Sequence, residues 1–230
     1  MTDPTTETAK AVQEVAKATG KGIDVAREAG GFIAKYIHGP LEQAAGIWTD
    51  KLKYIRWERQ VTLHERANAK MAELGLSEPT HPLPLKIAIP ILQEGSMEED
   101  DYLQDRWANL LVNASSGVEV RATYISMLRD MTSLDVRILA LIYAHPEVEG
   151  RNQVVLIDDL PSNARLLEPG EEVKSGQPNL PQEVSLSVEN LVRLGCIGPV
   201  HGFAGAIHYR YMLPTVLGRG FVNACTLKHI

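Results

Sequence analysis

The chain has 230 residues, of which 44% are hydrophobic and 23% charged, and its formal net charge is -6. This length and composition indicate a folded protein with a substantial core and argue against a largely disordered chain. The negative charge argues against broad, non-specific nucleic-acid binding, although it leaves room for a local basic face.

The first predicted element is a helix over about residues 7–38. It carries a row of small side chains that recur every fourth residue: Ala18, Gly22, Ala26, Gly30 and Ala34. Residues at this spacing stack on one helix face, so another helix can approach closely. This candidate helix-association face fits self-association or membrane insertion, or close packing in a helical bundle. Intervening charges such as Lys21 and Asp24 favour the bundle.

Gly39-Pro40 ends this segment, and a second helix is predicted over about residues 41–74, with Gly75 at its carboxyl end. The stretch "KLKYIRWER" contributes four basic side chains as a candidate anionic-surface contact: Lys51, Lys53, Arg56 and Arg59. With the aromatic residues between them, they could hold anionic lipid or nucleic acid. Asp50 and Glu58 dilute the charge, which favours an ordinary solvated face.

The next stretch, "SEPTHPLPLKIAIP", is rich in proline and predicts an extended hinge between the amino-terminal helices and a compact body.

An acidic run follows in "SMEEDDYLQDRWANLL" and predicts either a metal or acid/base site or the start of a helix. Ser96 and Glu99 match a capping box, and acidic residues in a first turn complement the helix dipole. Asp101 and Asp105 lie one turn apart, but no histidine or cysteine is nearby to complete a transition-metal site. The pattern therefore favours a helix that Ser96 caps.

Two helices are predicted over about residues 118–130 and 134–145, the second with Thr132 or Ser133 as its N-cap. Residues 146–183 then predict a long irregular connection with one strand-like run, "QVVLI". A connection of this length is unusual in a compact domain and is usually functional or mobile.

The last part of the chain predicts a helix, a hairpin and a closing helix. "SLSVENLVRL" has Ser185 or Ser187 as its cap and Gly195 at its end, and "AIHYRYML" forms the second hairpin strand. The helix 134–145 would complete a winged-helix arrangement.

The candidate winged-helix contact residues are Asn190, Arg193 and Arg210. A helix that binds DNA usually presents several Arg, Lys or Asn side chains, and Glu189 lies among these few. Protein interaction or dimerisation is therefore favoured over DNA binding, which stays open.

No catalytic constellation is recognisable. The histidines are scattered, Cys196 and Cys225 lie in apolar surroundings where thiols tend to be inert, and no phosphate-loop, nucleophile-elbow or zinc-protease motif occurs. We therefore expect no catalytic residue, no metal site and no cofactor. The two cysteines, the absence of a basic-then-apolar leader and of a long apolar stretch predict a cytoplasmic protein.

Together these elements predict a mostly α fold with amino-terminal long helices, a central helical bundle and a carboxyl-terminal winged-helix-like α+β module. The predicted divisions are an amino-terminal helical segment 1–80, a central helical region 81–132, and a module 133–230 that contains the long loop 146–183.

Four phrases resemble the Abi-alpha family of bacterial abortive-infection proteins: "EDDYLQDRWANLLVNAS", "ISMLRDMTSLDVRILALI", "VENLVRLGCIG" and "LGRGFVNAC". The resemblance covers about residues 25–115, and the winged-helix-like tail continues it. It implies a role in phage defence, in which an infected cell stops growing or dies before phage mature. It implies no chemistry. The chain departs from the family pattern in its longer loop 146–183 and an extra residue in "MLPTVLG".

Three hypotheses follow. The first is an antiphage protein that works without catalysis, through a protein partner, self-association or contact with the inner membrane surface. The second is an effector whose amino-terminal helices depolarise the membrane. The third is a winged-helix transcription regulator that binds DNA.

Overall fold

The computed structural model describes residues 36, 57–145, 153–174, 176–202 and 207–227. Within these ranges the chain forms helices and a small antiparallel sheet. The helices are α1 (Trp57–Glu73), α2 (Leu85–Met97), α3 (Asp101–Ser115), α4 (Ala122–Arg129), α5 (Ser133–Tyr143), α6 (Gln182–Arg193) and α7 (Val216–Cys225). The strands are β1 (Val155–Leu156), β2 (Arg165–Leu166), β3 (Ile197–His201) and β4 (Ile207–Pro214).

Helix α1 confirms the second predicted helix from Trp57 onward. Leu63, Ala67 and Met71 recur at a spacing of four and are buried, as expected for one apolar face. The chain leaves the helix at Gly75, whose φ of 71° suits the left-handed turn that ends many helices. The predicted helix over residues 7–38 and the start of the second helix lie outside the described residues, except for Tyr36.

Helix α2 corrects the prediction of a continuous extended stretch, because the chain is helical from Leu85 onward. Pro90 lies inside this helix and removes one main-chain hydrogen bond. Burial of the apolar face offsets that loss: Ile87, Ile91 and their neighbours are almost inaccessible to solvent. At Gly95 the helix passes so close to α1 and α3 that an added Cβ would lie 3.0 Å from Cβ of Trp107.

Helix α3 begins at the acidic run, but the predicted cap is wrong. The side chain of Asp100 accepts hydrogen bonds from the backbone N–H groups of Tyr102 and Leu103. Ser96 is still inside α2, is fully buried, and donates to the carbonyl oxygen of Gln93 at 2.9 Å. Because α2 continues to Met97, the turn between the helices is too short for Ser96 to reach the first turn of α3.

Helices α4 and α5 confirm the next two predictions, with α4 shorter than expected. Thr132 is the N-cap of α5 and forms a capping box with Asp135. Its hydroxyl accepts from the N–H of Asp135 at 3.2 Å, and the Asp135 carboxylate accepts from the N–H of Thr132 at 2.8 Å.

The sheet has the strand order β2-β1-β4-β3, and every neighbouring pair is antiparallel. Strands β3 and β4 form the predicted hairpin, with an irregularity between Pro199 and Val200. Strand β1 confirms the strand-like run in "QVVLI", and β2 was not predicted.

Helix α6 begins earlier than predicted, at Gln182, and Pro181 occupies its N-cap position. The prediction of Ser185 or Ser187 as cap is wrong, because both residues lie within the helix. The predicted end is confirmed, since Gly195 follows the helix with a φ of 71°. Helix α7 begins after Thr215, whose hydroxyl accepts from the N–H of Gly218 at 2.9 Å.

The fold is mostly α with a small four-stranded antiparallel sheet. Buried apolar side chains from all of the described helices and from strands β1, β3 and β4 form one hydrophobic cluster. The division at residues 80 and 132 stays a prediction.

Candidate functional site

The candidate site is the outer surface of α6 together with the hairpin β3–β4. Val184, Val188 and Leu191 of α6 are buried and fix which side of the helix faces the core. The opposite side therefore faces solvent, and Leu186 on that side keeps 59% of its surface exposed. An exposed leucine among polar neighbours is typical of contact surfaces when it is not isolated.

Exposed apolar side chains also lie on the hairpin. Ile207 is 43% and Tyr209 41% exposed, and two residues apart on β4 they point to the same face. Both α6 and β4 therefore contribute exposed apolar side chains to the carboxyl-terminal module, as do Val173 and Val216 outside these elements.

The structure brings together two of the three predicted winged-helix contact residues. The side-chain oxygen of Asn190 accepts from Nε and Nη2 of Arg193 at 3.0 and 2.8 Å. The amide nitrogen of Asn190 donates to the carbonyl oxygen of Asp130 and to the carboxylate of Asp135, each at 3.0 Å. Arg193 also lies 3.6 Å from the Asp130 carboxylate. Both side chains therefore connect α6 to the turn between α4 and α5.

The third residue, Arg210, is engaged elsewhere. Its Nε donates to Oδ1 of Asp158 at 3.0 Å, and a second guanidinium nitrogen contacts the same carboxylate. Both side chains are mostly buried, with 23% and 20% of their surface exposed. The hydrogen bond to Asp158 raises the pKa of Arg210. Arg210 thus connects β4 to the turn that follows β1.

Tyr143 holds the hairpin and α7 against α5, a role that sequence reasoning missed. Its hydroxyl donates to the carbonyl oxygen of Cys196 at 2.6 Å and accepts from the N–H of Thr215 at 3.0 Å. Burial raises the pKa of Tyr143, so the hydroxyl keeps its proton. Nothing in the sequence marks this tyrosine beyond its place at the end of a predicted helix.

Two asparagines of α3 hold the carboxyl end of α7, and these too were missed. Asn113 donates to the carbonyl oxygens of Ala224 at 2.9 Å and Thr226 at 2.8 Å. Asn109 donates to the carbonyl oxygen of Cys225 at 3.0 Å. These carbonyl groups lack partners within their own helix. The available signal was two asparagines one turn apart in the otherwise apolar run "WANLLVNAS".

The carboxylates of the acidic run each have a structural partner. Asp100 caps α3, and Glu98 accepts from the N–H groups of the two residues that follow it. Asp101 and Asp105 accept from Arg66 at 2.6 and 2.8 Å. Within the described residues no three His, Cys, Asp or Glu side chains are grouped so that they could hold a metal ion.

Arg59 is the described member of the predicted anionic-surface contact. It donates to the carbonyl oxygen of Met97 at 3.2 Å and to the Glu99 carboxylate at 2.8 Å. Its charge is therefore partly neutralised within the protein. Lys51, Lys53 and Arg56 lie outside the described residues, as do the five residues of the candidate helix-association face.

Comparison with known family models identifies the family to which the chain belongs. The features above define a mostly helical protein in which Leu186, Ile207 and Tyr209, three of the exposed large apolar residues of the described part, lie on a carboxyl-terminal helix and hairpin. A family model described as Abortive infection alpha matches residues 58–225. The chain therefore belongs to the abortive infection alpha family, which indicates abortive-infection phage defence as its role. The match begins later than the predicted resemblance and continues through the tail to residue 225.

No curated protein and no solved structure is significantly similar to the chain. In the part of the chain that the structure describes, none of the helices combines the length and hydrophobicity needed to cross a membrane.

Proposed function

We propose that this protein acts in abortive infection without catalysis, by docking a protein partner or a second copy of itself through the outer face of α6 and the adjoining hairpin. The observation that carries the proposal is the exposed Leu186, which lies on a helix face whose basic residue is already paired. Exposed apolar side chains with a polar rim are typical of protein contact surfaces.

The charges of this face favour protein over DNA. Glu183 and Glu189 are exposed on α6, whereas Arg193 is bound to Asn190 and near Asp130. DNA phosphates need unpaired cations, and breaking an internal pair to supply one costs binding energy. The acidic rim would repel the phosphate backbone.

A winged-helix-like arrangement of this module is part of the proposal. Three observations support it: α6 comes directly before the hairpin, β1 pairs with β4, and the sheet places β4 between β1 and β3. In this arrangement α6 has the position of the recognition helix. We propose that it serves protein docking here, and that the protein works in the cytoplasm.

The other two hypotheses have less support. Membrane depolarisation depends on the amino-terminal helices, which lie outside the described residues. DNA-dependent regulation depends on Asn190, Arg193 and Arg210, whose side chains all have internal partners.

The defence role is tested by plating a broad panel of phages on cells that carry or lack the gene. We expect fewer plaques on cells with the gene. Cultures infected at a high ratio of phage to cells should stop growing, whereas those infected at a low ratio should survive. Equal plaque numbers for every phage would contradict a defence role.

The docking surface is tested by Leu186→Glu, with Val216→Glu as the matched control. Val216 is 92% exposed at the start of α7, so its replacement also adds an acidic side chain to the surface. We expect Leu186→Glu to abolish protection and Val216→Glu to keep it, with both variants folded by circular dichroism. Protection by Leu186→Glu equal to the parent would contradict the docking proposal.

The partner is distinguished by sedimentation velocity of the purified protein. Self-association that Leu186→Glu removes would identify a second copy as the partner. A monomer at all concentrations would point to a different protein as the partner.

Turnover of a nucleotide, nucleic acid or peptide that one polar substitution abolishes would contradict the non-catalytic mechanism.

A further inference from the structure

A second surface feature lies where α3 meets α5, apart from the α6 face. The guanidinium carbon of Arg106 lies 4.6 Å from the ring centre of Tyr102, and that of Arg137 lies 5.3 Å from the same ring. Tyr102 and Arg106 are one turn apart on α3, so they share a helix face. Arg137 comes from the first half of α5. Two positive charges therefore share one tyrosine.

These two arginines differ from most others in the part of the chain that the structure describes. The arginines that form an ion pair with a carboxylate are Arg59, Arg66, Arg121, Arg129, Arg165, Arg193 and Arg210. Arg106 and Arg137 form no such pair among the described residues. The nearest acidic residues on the same helix, Asp101 and Asp105, are held by Arg66.

Arg106 also has an unused donor. One of its terminal nitrogens donates to the Tyr102 hydroxyl at 2.7 Å, but its Nε is buried and has no hydrogen-bond partner among the described residues. A buried donor without a partner is costly, and a guanidinium group bears a full charge. The buried Nε of Arg106 therefore has no acceptor for its hydrogen among the described residues.

Both guanidinium carbons lie within 5.3 Å of the same ring centre, so the two positive charges are close enough to repel each other. Like charges that share a site destabilise each other, and an anion between them turns repulsion into attraction. Arg137 is exposed, and Arg106 and Tyr102 are half-buried, so solvent reaches this group of side chains. The planar, fork-shaped donors of two arginines match the oxygen atoms of a phosphate group.

We propose that Arg106 and Arg137 bind the phosphate group of a small phosphorylated molecule, with Tyr102 positioning both side chains. The planar guanidinium group of exposed Arg137 can also stack on a nucleotide base, so a nucleotide should bind more tightly than free phosphate. The protein would then have a ligand site that is separate from the docking surface, and it would bind a small molecule there. This inference does not depend on the proposed docking surface.

The experiment is isothermal titration calorimetry of the full chain with inorganic phosphate, pyrophosphate and ATP, each without metal. We expect saturable binding, and Arg137→Gln should weaken it at least about tenfold, as loss of one charge-assisted contact implies. Arg121→Gln is the matched control, because Arg121 is an exposed arginine that pairs with Glu119 instead. It should bind as the parent does.

The ligands distinguish two sources of the phosphate group. Tighter binding of ATP than of pyrophosphate supports a nucleotide, and equal binding supports phosphate alone. Arg106→Gln can unfold the protein, so thermal unfolding of each variant without ligand is measured alongside. Absence of saturable binding to all three ligands, or undiminished binding by folded Arg137→Gln, would overturn the proposal. So would binding to duplex DNA alone.

Discussion

The hydroxyl group of Tyr143 donates a hydrogen bond of 2.6 Å to the main-chain carbonyl oxygen of Cys196. This contact joins the end of α5 to the start of the hairpin. The same hydroxyl accepts from the N–H of Thr215, just before α7. One side chain therefore holds both α7 and the hairpin, and the hairpin belongs to the proposed docking surface.

Replacement of Tyr143 by phenylalanine should lower the free energy of unfolding by about 1–2 kcal/mol, because the Thr215 N–H loses its shortest hydrogen bond. The measurement is urea unfolding followed by circular dichroism. Tyr209→Phe removes an exposed hydroxyl from the same module and is the matched control. Equal stability of the two variants would show that the Tyr143 hydrogen bonds contribute nothing.

Replacement of Gly218 by alanine should destabilise the protein by about 2 kcal/mol or more, as overpacking does in a tight core. An added Cβ would lie 2.1 Å from the carbonyl oxygen of Cys196 and 2.2 Å from the Tyr143 hydroxyl. At Gly198 no atom lies within 4 Å of such a Cβ, so Gly198→Ala is the control. Thermal unfolding of both variants checks the expectation, and an unchanged melting temperature for Gly218→Ala would refute it.

Replacement of Asn113 by aspartate should cost about 3 kcal/mol at neutral pH, because a carboxylate would face the carbonyl oxygens that the amide nitrogen now contacts. Burial and these carbonyls would raise the pKa of the new carboxyl above its unfolded value. The loss in the free energy of unfolding caused by Asn113→Asp should therefore become smaller as the pH falls and the new carboxyl group gains a proton. Denaturant unfolding at several pH values measures it, with exposed Asn163→Asp as control. A deficit independent of pH would speak against this account.

The ion pair of Glu171 with Arg165 should make stability depend on pH. The hydrogen bond from Arg165 lowers the pKa of Glu171 from 4.5 to about 2. Because the folded value is the lower one, the pair stabilises the protein above about pH 4.5 and this contribution is lost as the pH falls toward about 2.

The measurement for this pair compares the urea midpoints of the parent and Glu171→Gln across that range. The difference should be present at neutral pH and disappear in acid. Glu172→Gln removes an exposed neighbouring carboxylate that lies outside the helices and has no ion pair among the described residues, so it is the matched control. A constant difference for Glu171→Gln would count against the ion pair.

The two thiols should be unreactive while the protein is folded. Cys196 is fully buried, and burial raises its pKa to about 12. Burial likewise raises the pKa of Cys225. Since the thiolate is the reactive form, we expect a disulfide reagent to label neither residue in buffer and both in denaturant. Rapid labelling of native protein would contradict the buried positions.

Local signals predicted some elements well. Thr132 and Asp135 are three residues apart in the sequence, so the capping box at α5 can be recognised without any tertiary contact. The hairpin and the end of α6 at Gly195 also depend on neighbouring residues alone. These parts of the fold were confirmed, as were helices α1 and α4 and strand β1.

Helix α2 was missed for the opposite reason. Its proline-rich start and Pro90 are strong local signals against a helix, and tertiary burial of Ile87 and Ile91 outweighs them. Asn113 likewise shows its role only when α7 lies beside α3, more than a hundred residues further along the chain. The candidate site could be predicted as a helix and a hairpin, but not the internal partners that occupy Asn190 and Arg210.

Tyr36 gives the amino-terminal part of the chain a fixed point. Its side chain is completely inaccessible, its hydroxyl lies 3.5 Å from the sulfur of Met71, and its carbonyl oxygen accepts from the N–H of Leu83 at 2.9 Å. The family match begins at residue 58, so Tyr36 contributes to the core from outside the matched residues. A shortened chain that starts there would leave a hole beneath Met71.

Detachment of the amino-terminal part would have to withdraw this ring into water, at a cost of roughly 2–3 kcal/mol for the ring alone. Burial of Tyr36 therefore opposes separation of this residue from the core, so any rearrangement that exposes its ring requires an input of free energy.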